Sequence, residues 1–178
     1  MHFEPIPIQD AYIIHLPRHD DNRGFFIKTF QESHFKDNTI SFELKESYFS
    51  LSHKGVIRGM HFQLPPHQHS KIVFCPQGII QDVIIDLRKA SPTYGQHYSA
   101  LLSAKNHHAL FIPEGCAHGF QSLDNNSLTY YLVSSEYNQE KDSGLRWDSF
   151  DINWLLSPTF ISQRDQSFIP FNQFKSPF

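Results

Sequence analysis

From Gly24 onward the chain is a succession of short apolar or alternating runs, each closed by polar residues, Gly or Pro. They are Gly24–Phe30, Glu43–Ser50, Val56–Gln63, Lys71–Cys75, Ile79–Leu87, His97–Leu102, His108–Ile112, Gly119–Leu123 and Leu128–Ser134. Runs of this length and pattern predict β-strands. No long amphipathic helix separates any two of them, so they predict an all-β antiparallel barrel rather than a parallel βαβ sheet. Only Gln31–Lys36 reads as helical in the first half. After Gly144 the pattern gives way to irregular chain around Trp147, Trp154, Pro158 and Pro170, which reads as a short helical and irregular cap packed on the barrel. At 178 residues the chain is long enough for one sizeable core and too short for two, so residues 1–178 read as a single domain with one active site.

Charge narrows the class of partner. The 15 basic and 18 acidic residues are scattered, with a formal net charge of -3, so no basic stripe argues for nucleic acid and a small molecule is expected. No segment approaches the roughly 20 apolar residues of a membrane helix, and residues 1–10 lack a cationic stretch followed by an apolar run. A soluble cytoplasmic protein without membrane contact is the expectation. Cys75 and Cys116 lie far apart with no CxxC pairing and are expected to be buried free thiols.

The densest chemistry is Arg58-Gly59-Met60-His61-Phe62-Gln63. Strict alternation sends Arg58 and His61 to opposite faces, but a bulge at Gly59 would turn both toward one cavity. A guanidinium there suits bidentate grip on phosphate, and an imidazole suits proton transfer near neutral pH. His67, His69 and His118 resemble the metal boxes of cupins, yet no carboxylate follows the HxH pair, and Lys71 sets a positive charge beside it. No metal site is expected, and a metal-dependent cupin enzyme stands as the competing class. Lys71 reads equally as an edge gatekeeper or as an inward charge. In Tyr130-Tyr131, alternation sends one phenol inward without saying which.

Taken together, Arg23-Gly24-Phe25-Phe26, Gly55 to Gln63, Lys71, Pro113 to Phe120, Tyr131 and Gly144-Leu145-Arg146-Trp147 resemble the dTDP-4-dehydrorhamnose 3,5-epimerase family, from about residue 5 to about residue 168. The resemblance implies a cupin-type jelly roll without metal or other cofactor, usually a homodimer, that acts on a nucleoside-diphosphate 4-keto-6-deoxy sugar. It implies that His61 is the base at C3 or C5 and that Asp165 orients its imidazole. Tyr131 is then the acid on the opposite face, and Lys71 the cation beside the developing enolate. Arg58 and Arg23, the latter reaching in from a partner subunit, are implied as diphosphate ligands, with Phe26, His118 and Arg164 at further substrate positions.

Departures from the family cluster where it holds the nucleotide. Lys28 stands where Glu is usual, Glu46 and Tyr48 stand for Gln and Asn, Asp142 shortens a Glu, and Glu136 near Tyr137 takes a place that is often aromatic. Altered charge at two of these positions predicts a base other than thymine, with GDP- and CDP-linked sugars as alternatives. Relatives that invert only C3 or only C5 keep the same His and Tyr, so regiochemistry stays open. A non-catalytic sugar-binding protein is disfavoured because His61, Lys71, Tyr131 and Asp165 are all present.

Overall fold

A computed structural model describes all 178 residues. In chain order it contains β1 (His2–Pro5), β2 (Tyr12–His15), β3 (Arg18–Asp21), β4 (Gly24–Ile27), α1 (Glu32–Asp37), β5 (Glu46–Ser52), β6 (Ile57–Gln63), β7 (Lys71–Gln77), β8 (Ile79–Asp86) and β9 (His97–Ser103). β10 (His108–Ile112), β11 (Cys116–Ser122), β12 (Ser127–Val133), β13 (Asp142–Gly144) and α2 (Gln163–Ser167) complete it, with one 3-10 turn at Phe171–Gln173. The strands form a six-stranded sheet ordered β1-β2-β10-β7-β12-β5 and a five-stranded sheet ordered β13-β6-β11-β8-β9, while β3 and β4 make a separate ribbon. Every strand pair is antiparallel. The architecture is the all-β antiparallel one expected from the chain's punctuation and the jelly roll that the family resemblance implies.

Three buried clusters explain why several strands read as continuous apolar runs. The first lies between the sheets, where Val73, Leu110 and Tyr131 of one meet Ile80, Ile84 and Phe120 of the other. The second covers the outer face of the six-stranded sheet, with Phe35 of α1, Ile40 and Phe42 packed on Ile72, Phe111 and Leu132. The third covers the outer face of the five-stranded sheet, where Phe150, Trp154, Phe174 and Phe178 of the C-terminal cap lie on Phe62, Val83 and Ile85. A strand buried on both faces loses its polar alternation, and Ile79–Asp86 shows this most fully.

The structure adds to the sequence reading at the N-terminus, where β1, β2 and β3 precede the predicted series. β1 and β2 are four residues each and gain their pairing from β10, through the ladder His2↔His15↔His108. The predicted run Gly24–Phe30 is shortened to β4, which pairs only with β3 and lies outside both sheets. Cys75 and Cys116 are buried and free.

Candidate active site

The site opens at Gly59. Between the pairs Phe120↔Arg58 and His118↔His61, β6 takes three residue steps where β11 takes two, so β6 carries one extra residue. Gly59 has φ of +139°, and a Cβ there would lie 2.5 Å from Gly119 Cα, so only glycine fits this close approach. The bulge brings Arg58 and His61 to the wall of one cavity of about 360 Å³ between the two sheets.

Behind His61 the chain supplies a carboxylate from more than one hundred residues away. Thr159 N–H donates to Gly55 O and Ile57 N–H to Phe160 O, lacing the C-terminal segment to the start of β6. Ser162 then caps α2 by accepting the Asp165 N–H at 3.0 Å. This places Asp165 Oδ1 2.8 Å from His61 Nε2 and lets Asp165 Oδ2 accept the Gly59 N–H at 3.1 Å. Burial alone raises the Asp165 pKa, but the donors from His61, Gly59 and Ser162 outweigh it and hold the carboxyl below its ordinary range. A carboxylate only accepts, so in the neutral imidazole of His61 Nε2 carries the proton and Nδ1 the basic lone pair.

The facing wall comes from the other sheet. Tyr131 on β12 points inward and is buried, its ring stacked on Tyr48 of β5 at 4.7 Å. Tyr130 takes the outer face and stacks on Phe74. Burial first, and then the neighbouring Tyr48 and Asp82, push the Tyr131 phenol well above its ordinary value, so it is a proton donor at neutral pH. Lys71, at the first position of β7, is 5% exposed, and its Nζ donates to His61 O at 3.4 Å. The inward alternative is thus the observed one. Burial brings its pKa down to about 8 against the attraction of Asp142 and Asp82.

The floor and mouth complete the cavity. His118 Nε2 contacts Asp82 Oδ2 at 2.8 Å, with both side chains buried. At the mouth, Arg164 donates to Asp142 Oδ2 at 2.6 Å, Tyr137 Oη donates to the same oxygen, and Glu46 Oε2 accepts the Tyr137 N–H at 2.7 Å. Arg58 is held by Ser52 Oγ and Leu51 O.

Of the residues singled out in the sequence, His61, Lys71, Tyr131, Glu46, Tyr48, Arg58, His118, Asp142 and Arg164 line this one cavity, with Asp165 directly behind. Arg23, Phe26 and Lys28 are not brought to it within the single chain. They lie on or just after the β3–β4 ribbon, where Arg23 pairs with Asp21 and Lys28 donates to Gln31. The Lys28 charge reversal therefore lies outside this wall, and Glu46 alone carries the altered charge there. The three histidines of the competing metal reading are engaged separately: His67 with Asn138, His69 with Gln63 and Ser135, and His118 with Asp82. No group of three or more His, Cys, Asp or Glu side chains is placed to hold a metal ion. Sequence reasoning missed Asp82, which holds His118, and Ser50, which lines the cavity. Asp82 had a legible signal, a carboxylate inside the apolar run Ile79–Leu87.

The chain matches the dTDP-4-dehydrorhamnose 3,5-epimerase family over residues 5–173. It is 39% identical to the enzyme of that name from Sinorhizobium fredii over 171 residues, 94% of this chain and 88% of the relative. It is 37% identical to that from Methanothermobacter thermautotrophicus, over 93% and 92% of the two chains. Among solved structures it is similar to a dTDP-6-deoxy-D-glucose-3,5-epimerase from Legionella pneumophila in complex with dTDP-4-keto-L-rhamnose, with TM-score 0.93, 30% identity, and 98% and 94% of the two chains covered. It is also similar to a 3'-monoepimerase from Streptomyces bikiniensis in complex with dTDP-quinovose, with TM-score 0.87, 27% identity, and 96% and 87% covered.

Proposed function

The chain belongs to the dTDP-4-dehydrorhamnose 3,5-epimerase family, and from that premise we propose that it inverts C3, C5 or both of a dTDP-linked 4-keto-6-deoxy sugar through an enolate. The observation that carries this reading is His61 on one sheet, backed by Asp165 of α2, facing Tyr131 and Lys71 on the other sheet across a single cavity. Inversion at carbon needs a base and an acid on opposite faces of a planar enolate, and two opposed sheets supply them. His61 removes the proton α to the ketone. The C–H electron pair becomes the C=C of the enolate, and the carbonyl pair moves to O4, beside the Lys71 ammonium. Tyr131 returns a proton to the other face, and solvent exchange resets both groups. The 4-keto group already acidifies both neighbouring C–H bonds, and the sugar undergoes no net oxidation, so the chemistry calls for no redox partner. Arg58 and Arg164 supply cations for the diphosphate.

Incubating the protein with dTDP-4-keto-6-deoxyglucose and following the product by NMR checks this reading. The account expects an inverted product at C3, C5 or both, and faster turnover than with the GDP- and CDP-linked forms. An unchanged sugar would contradict it. Inversion confined to C3 would assign the activity of the Streptomyces bikiniensis relative, and preference for GDP or CDP would reinstate the departure at Glu46 as a specificity change.

The same reading includes a homodimer. Phe25 and Phe26 are 60% and 59% exposed on the β3–β4 ribbon, beside an Arg23 that does not line the site cavity of its own chain. We assign this ribbon to the partner's site, where Arg23, Phe26 and Lys28 complete the substrate contacts. A solution mass twice 20.8 kDa, with KM raised about tenfold or more in Arg23→Ala, is the expected result; a monomer with unchanged KM would contradict it.

A further inference from the structure

Two histidine–aspartate pairs stand side by side in this site. His61 and His118 are direct partners across the β6–β11 ladder, and each is 2.8 Å from a carboxylate. Their surroundings differ. His61 is partly open to the cavity, whereas His118 and Asp82 are 4% and 0% exposed at its floor. Asp82 shares the inner face of β8 with Ile80 and Ile84, both in the core between the sheets. Such a position is unfavourable for a charge without a purpose. Only one of its oxygens is used: Oδ2 accepts from His118, while Oδ1 is buried without a hydrogen-bond partner. Lys71 is equally under-used, with one long contact to His61 O.

Every charge near Lys71 can be named. Asp142 of β13 is the strongest attraction and Asp82 of β8 follows, with Cys116 of β11 a weaker one. Lys71 in turn faces the imidazoles of His69 and His118, and its Nζ reaches the backbone of His61. The Asp142 carboxylate is already shared with Arg164 and the Tyr137 hydroxyl at the mouth. Cys116 is a buried thiol whose pKa burial pushes up to about 12, so it is neutral near pH 8. Asp82 is the one carboxylate near Lys71 that no cation of its own neutralises.

We propose that Asp82 is a positioning residue that acts through Lys71: it is the buried counter-charge that keeps the Lys71 side chain an ammonium, while its second oxygen holds His118 in the tautomer with Nε2 protonated. The inference deepens the proposed function, since it rests on Lys71 being the cation beside O4. A carboxylate is required for this role because an amide would satisfy His118 yet bring no charge. Removing an opposite charge at close range lowers a lysine pKa by about 1 to 3 pH units.

The test reads Lys71 without substrate. The protein labelled with 13C-lysine is titrated by NMR, and the Lys71 Cε signal is assigned from its disappearance in Lys71→Met. The expected midpoint is about 8 in the wild type and at least about one pH unit lower in Asp82→Asn. In His118→Gln, which leaves the carboxylate in place, the midpoint holds at or above the wild-type value. An unchanged midpoint in Asp82→Asn overturns the proposal. So does a fall of about one pH unit or more in His118→Gln, which would trace the effect to disturbed packing; that arm stands even where Asp82→Asn fails to fold. With turnover measured alongside, the basic limb of kcat/KM falls with the NMR midpoint. A protein with the expected titration and no epimerase activity would contradict the proposed function and leave the role of Asp82 intact.

Discussion

His61→Asn is expected to lower kcat/KM by about 10³-fold or more, within the range of removing a positioned general base together with its charged partner's purpose. Asparagine keeps an N–H that can reach Asp165, so the buried carboxylate retains a donor, as well as the Gly59 N–H that Asp165 Oδ2 already accepts. The fold should therefore lose no more than about 1 kcal/mol. Steady-state kinetics and a denaturant titration of the same preparation check the two halves. Activity within tenfold of wild type would remove His61 from the role of base.

Lys71→Met is expected to move stability and activity in opposite directions. The sign follows from proton linkage. Burial sets the folded pKa at about 8, below the ordinary 10.5, so the folded state binds fewer protons between these values and stability rises with pH through that window. Below about pH 8 the full cost of the buried ammonium is present, about 3 kcal/mol. Methionine removes that cost and forfeits one long hydrogen bond, for a net gain of about 1 to 3 kcal/mol at pH 7 that fades toward pH 10.5. In a chain of this size each kcal/mol is about 2 to 4 °C in Tm. Activity should fall at least about 10²-fold through loss of the charge that faces the enolate oxygen. In the wild type, kcat/KM should decline as pH rises through about 8. Calorimetry at two pH values and a pH–rate profile check this; a Lys71→Met protein that is both less stable and fully active would reverse the assignment.

The parts of the site legible in the sequence were those with a local cause. Gly59 between Arg58 and His61 signalled the bulge because a glycine inside a strand has few other uses. The strand His108–Ile112 kept its predicted bounds, being an apolar run closed on both sides by polar or proline residues. What the residue pattern alone left open, and for Tyr131, Lys71 and Asp165 only the family resemblance supplied, has its cause elsewhere in the chain. Tyr130 and Tyr131 alternate, but the phase depends on which face of β12 meets β8 and which meets α1. Lys71 has no local pattern that separates an edge gatekeeper from an inward charge, because its surroundings come from β8, β11 and β13. Asp165 reaches His61 only because Thr159 and Phe160 are laced to Gly55 and Ile57, and no periodicity spans that distance. β1 and β2 are strands chiefly because β10 offers an edge.

The most direct test of the central claim is deuterium incorporation at C3 and C5 in D2O by wild type, His61→Asn and Tyr131→Phe, with stereochemistry read by NMR. The account predicts exchange with inversion in the wild type and none above background in His61→Asn. In Tyr131→Phe it predicts exchange with retention, because His61 still takes the proton and returns a deuteron to the same face. Wild-type exchange in His61→Asn, or undiminished inversion in Tyr131→Phe, would contradict the assignment of base and acid to the two opposed sheets.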